Sequence, residues 1–256
     1  MIKAAFFDVD GTLLSHKTKS VSQSAREAVA VLRAAGVKCI VATGRQMQEM
    51  QKLPVANMEF DGYITLNGQL ILDGEKNILS GTPLTGRAKE FLLRAFAEKR
   101  FPALLVEEED VYLNFEDERV RALQAAISSP IPPLGEYSGR EIYQVCAYLN
   151  PEDEHLVEEI AGACVMTRWA FGGMDIIAEG GGKITGIKRY LEENGIAPEE
   201  TIAFGDGEND IEMLRFAGIG VAMGNAWDNV KAAADYVTAD IDQDGVAEAL
   251  RHFGLI

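Results

Sequence analysis

The sequence has few cysteines, few basic residues relative to its acidic ones, and no long hydrophobic run. Cys39, Cys146 and Cys164 lie far apart, without the close pairs of a zinc site or disulfide framework, so we expect reduced, buried thiols. No apolar run approaches the ~18 residues of a membrane-spanning helix. The apolar N-terminal stretch stops at Asp8, too early for a signal-peptide core. We therefore expect a soluble cytoplasmic protein.

The shortage of basic residues excludes one class of partner. The 256 residues include 40 Asp and Glu against 24 Lys and Arg, a formal net charge of −16. Because nucleic-acid affinity comes largely from basic side chains that neutralise phosphates, we expect no nucleic-acid partner. An anionic membrane surface is disfavoured for the same reason. Small substrates, metal cations and protein partners remain, and nothing in the sequence indicates an obligatory protein partner.

Short apolar runs alternate with amphipathic stretches in the first and last thirds of the chain. This β-α-β rhythm predicts an α/β fold, a doubly wound parallel sheet with right-handed crossovers. In the middle third the pattern changes to helix-strand-strand, twice over, which predicts a small antiparallel sheet with helices. We therefore predict a core of residues 1–82 and 180–256, interrupted by an α+β insert over residues 83–179.

Several local features of the sequence predict individual helices, a hairpin tip and helix caps. Residues 24–27 have the capping-box pattern and are predicted to start the first helix. Helices are also predicted over residues 118–128 and 152–162 of the insert. The acidic run 107–110 is predicted to be a solvated hairpin tip. Asp244 lies in an acidic loop and is predicted to cap the last helix.

Polar clusters follow the ends of four predicted strands. The clusters are residues 8–12, 43–45, 67–68 and 205–210. Ligands of open parallel sheets bind beyond the carboxyl ends of the strands, so Asp8, Asp10, Asp206 and Asp210 are expected at one edge. Two carboxylates about 4 Å apart repel by roughly 4 kcal/mol at an effective dielectric constant of 20, so several need a cation to stay ionised together. Oxygen ligands with few carboxylates suit Mg²⁺ best.

The same clusters carry a resemblance to a known family. Residues 8–12, Asp-Val-Asp-Gly-Thr, resemble the signature of the haloacid dehalogenase (HAD) superfamily. Thr43, Lys183 and residues 205–210 match its remaining three motifs in the same order. The insert lies between the second and third motifs, as in the Cof-type branch with a large α+β cap. The resemblance covers essentially the whole chain, which is similar to the bacterial hexose-phosphate phosphatases of that branch.

The resemblance implies a Mg²⁺-dependent phosphomonoesterase that hydrolyses a small sugar phosphate through an aspartyl-phosphate intermediate. In it, Asp8 would be the nucleophile, and Asp10 the general acid and then the general base. Asp10 stands where the ion-pumping relatives have Thr, which favours rapid hydrolysis of the intermediate. Mg²⁺ would be held by Asp8, the Asp10 carbonyl and Asp206, with support from Asn209 and Asp210.

The resemblance also implies a set of phosphate-binding residues: Thr43, Gly44, Lys183 and Asn209. Lys183 has independent support, because a positive charge at a helix start opposes the helix dipole unless an anion lies nearby. Arg45 is a substrate-binding candidate at the same edge, with pairing to a surface acid as the alternative. Asn67 is another, with a simple Asn-Gly turn as the alternative.

In the insert, the candidates for substrate binding are Trp169 and Asp175. They lie in a glycine-containing segment between the last two predicted strands of the insert. An aromatic face and a carboxylate can bind a sugar ring by stacking and by hydrogen bonds to its hydroxyls. The alternative interpretation places Trp169 and Phe171 in the hydrophobic core of the insert.

Three other functions remain open on the sequence alone. The first is a phosphomutase of the same fold, which returns the phosphoryl group to the substrate rather than to water. The second is a phosphatase for nucleotides or other phosphoesters. The third is a non-catalytic, cation-binding regulatory module, against which the intact set of Asp8, Asp10, Lys183 and Asp206 argues.

Overall fold

The first strand is buried on both faces of a sheet. In the computed structural model, which describes residues 1–126 and 129–256, all four side chains of Ala4–Phe7 are buried. Phe6 packs edge-to-face on Tyr190, which lies in a helix on one face. On the other face, the Cys39 thiol lies against the carbonyl of Val29, which lies in a different helix. Continuous burial of this kind is typical of parallel sheets covered by helices on both sides.

The structure describes thirteen strands within the two ranges given above. They are β1 (Ala4–Phe7), β2 (Lys38–Ala42), β3 (Gly62–Thr65), β4 (Leu70–Asp73), β5 (Ile78–Gly81), β6 (Ala103–Val106), β7 (Val111–Leu113), β8 (Gln144–Ala147), β9 (Cys164–Ala170), β10 (Gly173–Ala178), β11 (Thr201–Gly205), β12 (Ile219–Ala222) and β13 (Tyr236–Val237).

The α-helices of the same residues are eight in number. They are α1 (Gln23–Ala34), α2 (Met47–Met50), α3 (Gly86–Ala97), α4 (Glu118–Ala126), α5 (Lys183–Asn194), α6 (Ile211–Phe216), α7 (Asp228–Lys231) and α8 (Gly245–His252). None of these described helices is long and apolar enough to cross a membrane.

The chain divides into two compact units, of which the first comprises Met1–Ser80 and Gly182–Ile256. Its eight-stranded sheet has the order β13-β12-β11-β1-β2-β3-β4-β5. The pairs from β13 through to β3 are parallel, and β4 runs antiparallel to β3. The chain leaves β1 for β2 on one side and returns as β11 on the other. This order confirms the predicted α/β class and makes β1 the switch point where ligands of such sheets bind.

The second unit, Gly81–Gly181, has its own sheet and its own core. The sheet order is β7-β6-β8-β10-β9, and every pair in it is antiparallel. Phe91 of α3 packs in the core of this unit with Phe101, Leu105 and Ile176. The unit is therefore α+β. The resemblance implies that this unit is a cap that sets substrate specificity, and this role stays a prediction.

The start of α1 differs from the predicted capping box. Ser22, not Ser24, flanks the helix, and its hydroxyl accepts a hydrogen bond from the Ala25 N–H at 3.1 Å. The Ser24 hydroxyl donates instead to the carboxylate of Asp244. Asp244 is the N-cap residue of α8, as predicted, but its side chain makes no capping hydrogen bond and its backbone is left-handed, with φ of 63°. The capping-box prediction was wrong and the Asp244 prediction was right only in position, because the Ser24 and Asp244 side chains bind each other.

Two helices of the second unit also differ from their predictions. The predicted helix over residues 118–128 is described as Glu118–Ala126, and residues 127 and 128 lie outside the described residues. The predicted helix over residues 152–162 is a 3₁₀ helix, Pro151–Ile160. Glu154 and Glu158 are like charges four residues apart, a spacing that disfavours the α-helical alternative.

The acidic run 107–110 is not wholly solvated, which corrects the prediction for its first residue. Glu107 is 1% exposed. Its carboxylate accepts hydrogen bonds from the Tyr112 hydroxyl at 2.5 Å and from the Ser138 hydroxyl at 2.7 Å. A carboxylate can be buried when such donors replace water. The run therefore begins inside the second unit rather than at its surface.

Two of the three cysteines are buried, as predicted, and Cys146 differs from the prediction. Cys39, Cys146 and Cys164, all within the described ranges, form no disulfide. Cys39 and Cys164 are buried, whereas Cys146 is only half-buried. Burial raises the pKa of the Cys39 thiol to about 12. This thiol therefore stays protonated and behaves as a small core side chain.

Candidate active site

The candidate site lies at the carboxyl edge of the parallel sheet in the first unit. Asp8 directly follows β1, Thr43 follows β2, and Asp206 follows β11. Lys183 is the first residue of α5. The preceding residue, Gly182, has φ of 139°, a backbone conformation that favours glycine. Because neighbouring parallel strands end at the same edge, these residues meet although they are far apart in the sequence.

A buried lysine joins two of the carboxylates. Lys183 Nζ donates to Asp8 Oδ1 at 2.5 Å and to Asp210 Oδ1 at 2.7 Å. The Lys183 and Asp210 side chains are 1% exposed and that of Asp8 is 8% exposed. The other oxygen of Asp210 accepts hydrogen bonds from the backbone N–H groups of Asp206 and Gly207. One positive charge therefore faces two negative ones in a site shielded from water.

Burial and mutual repulsion shift the ionisation of these groups. Burial raises the pKa of Asp8 well above its ordinary value, and Asp210 adds to the rise while Lys183 opposes it. Burial by itself lowers the pKa of Lys183, but Asp210 and Asp8 outweigh it and raise that pKa. Lys183 thus stays an ammonium, whereas burial disfavours the negative charge of Asp8.

Asp206 is held by two loops besides its own. Thr12 Oγ1 donates to Asp206 Oδ1 at 3.2 Å, and Asn225 Nδ2 donates to Oδ2 at 3.3 Å. Gly11 has φ of 82°, and a Cβ there would overlap the Asp206 carboxylate, so this approach requires glycine. Burial, followed by the nearby Asp210 carboxylate, raises the pKa of Asp206 to about 7.

The donor set fits a divalent cation. Asp8, Asp206 and Asp210 each offer one oxygen, and these oxygens lie within 4.8 Å of one another. The raised pKa values of Asp8 and Asp206 report the cost of burying negative charges together. A hard divalent cation with oxygen ligands removes that cost by neutralising the carboxylates. The chemistry of these residues therefore suits a divalent metal ion.

The Asp10 side chain turns to Arg45 rather than to the carboxylate cluster. Arg45 Nε donates to Asp10 Oδ2 at 2.6 Å and Nη2 donates to Oδ1 at 2.8 Å, a bidentate pair. Burial lowers the pKa of Arg45, but the hydrogen bond and charge of Asp10 outweigh this and raise it. Arg45 also pairs with a more exposed acid, since its Nη1 lies 3.9 Å from Glu49 Oε2, but its bidentate partner belongs to the candidate site.

A left-handed turn brings Asn67 to the same edge. Leu66, Asn67 and Gly68 have φ of 52°, 53° and 88°. The N–H of Leu66 donates to the Arg45 carbonyl and the N–H of Asn67 donates to the Thr43 carbonyl. Positive φ at a bulky residue such as Leu66 is an outlier that surrounding contacts must hold. These contacts hold Asn67 at the edge of the sheet, so it is not simply a turn residue at the surface.

Gly44 and Asn209, both predicted to bind phosphate, lie against this turn. Asn209 Nδ2 donates to Asn67 Oδ1 at 3.3 Å. A Cβ at Gly44 would lie 3.1 Å from Asn67 Oδ1, closer than ordinary side-chain contacts. The structure thus brings Gly44, Asn67 and Asn209 together. Thr43 Oγ1 accepts the Arg45 N–H at 3.1 Å within the adjoining loop.

Comparison with known proteins identifies the family. A model of the haloacid dehalogenase-like hydrolases matches residues 5–250, which includes every candidate site residue named above. The chain belongs to this family. The resemblance inferred from the sequence motifs is therefore confirmed. Hydrolases of this family generally use a divalent metal ion, in keeping with the acidic cluster.

Several relatives of this HAD-like hydrolase are phosphatases. BT1666 of Bacteroides thetaiotaomicron, a HAD phosphatase, is 33% identical with a TM-score of 0.90, over 100% of this chain and 96% of that one. The subclass IIB sugar phosphatase BT4131 is 37% identical with a TM-score of 0.85, over 99% and 100% of the two chains. The pyridoxal phosphate phosphatase YbhA of Escherichia coli (strain K12) is 30% identical over 94% of both. This HAD-like hydrolase is a phosphatase.

The two candidates in the second unit of this HAD-like hydrolase contact each other. Trp169 Nε1 donates to Asp175 Oδ1 at 3.1 Å across the hairpin of β9 and β10. Trp169 is 44% exposed and Phe171 is 71% exposed, so the interpretation of both as core residues is wrong. The indole lies across Gly173, where a Cβ would lie 2.6 Å from its ring. An aromatic face and a carboxylate are thus held together at the surface of this unit.

Two residues at the edge were missed by the sequence analysis. Thr12 and Asn225 both donate to Asp206, as described above. Thr12 belongs to the first motif, in which only the two aspartates were predicted to be site residues. Asn225 lies just beyond β12, another strand that ends at this edge. Extending the rule about strand ends to β12 would have found it.

Proposed function

We propose that this phosphatase hydrolyses sugar phosphates, requires Mg²⁺, and works through an aspartyl-phosphate on Asp8. The observation that carries the proposal is the buried Asp8 carboxylate, which pairs with Lys183 and shares a cluster of oxygens with Asp206 and Asp210. A buried carboxylate beside a fixed ammonium at a ligand-binding edge is suited to attack an anionic phosphoryl group, since positive charge lowers the repulsion on approach.

The first chemical step is attack by Asp8 on phosphorus. An Asp8 oxygen forms a bond to phosphorus while the bond from phosphorus to the sugar oxygen breaks. Lys183 favours the ionised, nucleophilic form of Asp8 because its ammonium lies 2.5 Å from Oδ1. Thr43 and Gly44, in the loop after β2, are the proposed ligands of the phosphoryl oxygens together with Lys183 and Asn209.

Asp10 is proposed to move the proton in both steps. It protonates the departing sugar oxygen in the first step. In the second step it takes a proton from water as the water oxygen bonds to phosphorus and the bond from phosphorus to the Asp8 oxygen breaks, which frees the Asp8 carboxylate and phosphate. Both Asp10 oxygens bind Arg45 in the structure, and a proton on Asp10 weakens these bonds because it removes the negative charge that strengthens them. We therefore expect Arg45 to turn towards the anionic substrate, its natural alternative partner, when substrate binds.

Mg²⁺ is the proposed cation because its ligands here are oxygens. Asp8, Asp206 and the carbonyl of Asp10 are proposed to hold it, with Asn209 and Asp210 in support. Asp210 is suited to a supporting role because its oxygens already accept hydrogen bonds from Lys183 and from two backbone N–H groups. When bound, the cation would neutralise charge that accumulates on the phosphoryl group.

The proposed substrate class is a small phosphorylated sugar. Its support is the similarity to the sugar phosphatase BT4131, 37% identical over 99% of this chain. The exposed pair of Trp169 and Asp175 has the chemistry for stacking and hydroxyl recognition of a sugar ring. The pyridoxal phosphate phosphatase YbhA shows that relatives of similar identity act on other phosphoesters, so the substrate needs a direct test.

The test is a phosphate-release screen over sugar phosphates, nucleotides and pyridoxal phosphate, with Mg²⁺ and with excess EDTA. We expect turnover of sugar phosphates with Mg²⁺ and none with EDTA. Asp8→Asn should abolish phosphate release, because the amide is a poor nucleophile. Asp228→Asn, an exposed matched control, should leave it unchanged. Phosphate release by Asp8→Asn at the wild-type rate would overturn the mechanism, and isomerised sugar phosphate without free phosphate would indicate a mutase.

A further inference from the structure

The side chain of Asn225 joins three segments at the edge of the sheet. Its Nδ2 donates to the carbonyl of Gly11 at 2.8 Å and to Asp206 Oδ2 at 3.3 Å. Its Oδ1 accepts the N–H of Ile241 at 3.0 Å. These segments are the loop after β1, the loop after β11 and the approach to α8. The Asn225 side chain therefore links all three segments.

The chemistry of the partners fixes which way the amide points. The Gly11 carbonyl can only accept a hydrogen bond, and the Ile241 N–H can only donate one. The opposite orientation of the Asn225 amide would therefore place two acceptors together and two donors together. The NH₂ group must face Gly11, and so its second hydrogen is directed towards Asp206.

Asp206 consequently has a donor on each oxygen. Thr12 binds Oδ1 from one side and Asn225 binds Oδ2 from the other. A carboxylate held at both oxygens cannot rotate freely about its bond to Cβ. Because carboxylates that bind metals need a defined orientation, hydrogen bonds of this kind are typical of residues that support a metal ligand.

We propose that Asn225 is a positioning residue that orients Asp206 towards a divalent cation. The inference rests on the proposed function, in which Asp206 is a ligand of that cation. Loss of the Asn225 amide leaves Asp206 with Thr12 as its remaining side-chain donor and frees the carboxylate to turn. Losses of such supporting residues weaken metal binding by about 10- to 100-fold.

The experiment is a calorimetric titration of the full-length protein with Mg²⁺. Asn225→Ala removes the amide, and Asn225→Leu removes its polar atoms while it keeps the side-chain volume, in case the alanine variant does not fold. Asn229→Ala is the matched control, because Asn229 also donates to a carboxylate, Glu208 Oε1, at 2.8 Å, in the same region of the chain. Thermal unfolding in EDTA reports the stability of each variant without metal.

We expect the dissociation constant for Mg²⁺ to rise by about 10- to 100-fold in the Asn225 variants and to stay within about twofold in Asn229→Ala. At saturating Mg²⁺, kcat should recover towards the wild-type value, a rescue that general structural damage would not show. Wild-type Mg²⁺ affinity in a folded Asn225 variant would overturn this inference alone. Absence of Mg²⁺ binding by the wild-type protein would instead overturn the metal requirement of the proposed function, and this inference with it.

Discussion

At the scale of single residues, the sequence predicts that Lys183 has an anionic partner but does not identify that partner. A positive charge at a helix start predicts a nearby anion, because it opposes the helix dipole. In the structure the anions are Asp8 and Asp210, both bonded to its ammonium group. The ammonium is therefore already placed beside the proposed nucleophile before any substrate arrives, which avoids the cost of reorganising it during the reaction.

The titration of Asp206 predicts how stability depends on pH at the scale of one residue. Its folded pKa of about 7 lies above its ordinary value of 3.8. Between these values the folded protein binds more protons than the unfolded chain. In EDTA, the free energy of unfolding should therefore fall as pH rises from about 4 to about 7 and level off above. Urea unfolding across this range measures the slope, to which the raised pKa of Asp8 contributes in the same direction.

Substitution at Asp206 gives this pH prediction its control. Asp206→Asn has no carboxyl to titrate and should show a smaller slope, whereas exposed Asp228→Asn should keep the wild-type slope. Stability that rises over the same pH range in EDTA would contradict the prediction, since it would mean that the carboxylates are more acidic in the folded protein than in the unfolded chain.

Arg45→Lys tests the bidentate pair with Asp10. Lysine keeps the charge but cannot make two parallel bonds to one carboxylate, so we expect kcat/KM to fall by about 10- to 100-fold. The free energy of unfolding should change by less than about 1 kcal/mol, because both side chains are partly exposed. Steady-state kinetics and urea unfolding measure the two effects.

A second arginine offers the matched control for that substitution. Arg33 also pairs with a carboxylate, with Nε 3.2 Å from Asp61 Oδ2, and it lies at the end of α1, away from the site. Arg33→Lys should leave kcat/KM unchanged. Equal kinetics of Arg45→Lys and Arg33→Lys would show that Arg45 has no part in the reaction.

At the scale of elements, the turn after β3 is the most constrained part of the site. Leu66, Asn67 and Gly68 are left-handed in succession, a conformation that costs free energy at the two residues with side chains. The turn persists because its N–H groups bind the carbonyls of the loop after β2. This strain is the means by which Asn67 reaches Asn209 and the phosphate-binding candidates.

Gly68→Ala separates close packing from backbone strain in this turn. Gly68 and Gly36 both have φ of 88°, so alanine costs similar backbone strain at either, roughly 1 kcal/mol. A Cβ at Gly68 would overlap the Gly182 carbonyl, whereas Gly36 has no atom within 4 Å of that position. We expect Gly68→Ala to lose about 1–3 kcal/mol more than Gly36→Ala in urea unfolding.

Catalysis should respond to the same pair of substitutions. Gly182 precedes Lys183, so displacement of its carbonyl by Gly68→Ala should shift the start of α5 and lower kcat. Gly36→Ala should leave kcat unchanged because Gly36 lies before β2, at the opposite end of that strand from Thr43. Equal stability and equal kcat of the two variants would show that the turn tolerates movement against α5.

At the scale of the whole molecule, the residues of the carboxylate cluster lie in one of the two units. Asp8, Lys183, Asp206 and Asp210 all lie in the unit formed by Met1–Ser80 and Gly182–Ile256. The other unit has a separate sheet and a separate hydrophobic core. Separate cores allow the two units to fold as distinct cooperative elements.

Excision of the second unit tests this division. We expect residues 81–181, expressed alone, to unfold in a single cooperative transition in urea. The remaining unit, with residues 80 and 182 joined by a short glycine-serine linker, should still bind Mg²⁺ by calorimetry, but it should lose its preference among phosphoesters in the release screen. Loss of Mg²⁺ binding by a folded first unit would show that residues 81–181 complete the metal site.

The sequence by itself determined the α/β class and the residues that meet at the carboxyl edge. Strand rhythm and the polar residues after each strand are local signals, and the parallel arrangement carries Asp8, Thr43 and Asp206 to one place. The order of the motifs was enough to predict the family. Local signals misled where a distant partner intervened, as at Ser24 and Glu107.

Only the tertiary structure decided how the side chains pair within that edge. Arg45 binds Asp10, Lys183 lies between Asp8 and Asp210, and Asp206 takes donors from Thr12 and Asn225. Thr12 and Asp206 are 194 positions apart, so no local pattern records their contact. The raised pKa values of Asp8 and Asp206 also depend on tertiary structure, because the burial that causes them comes from the packing of elements far apart in the sequence.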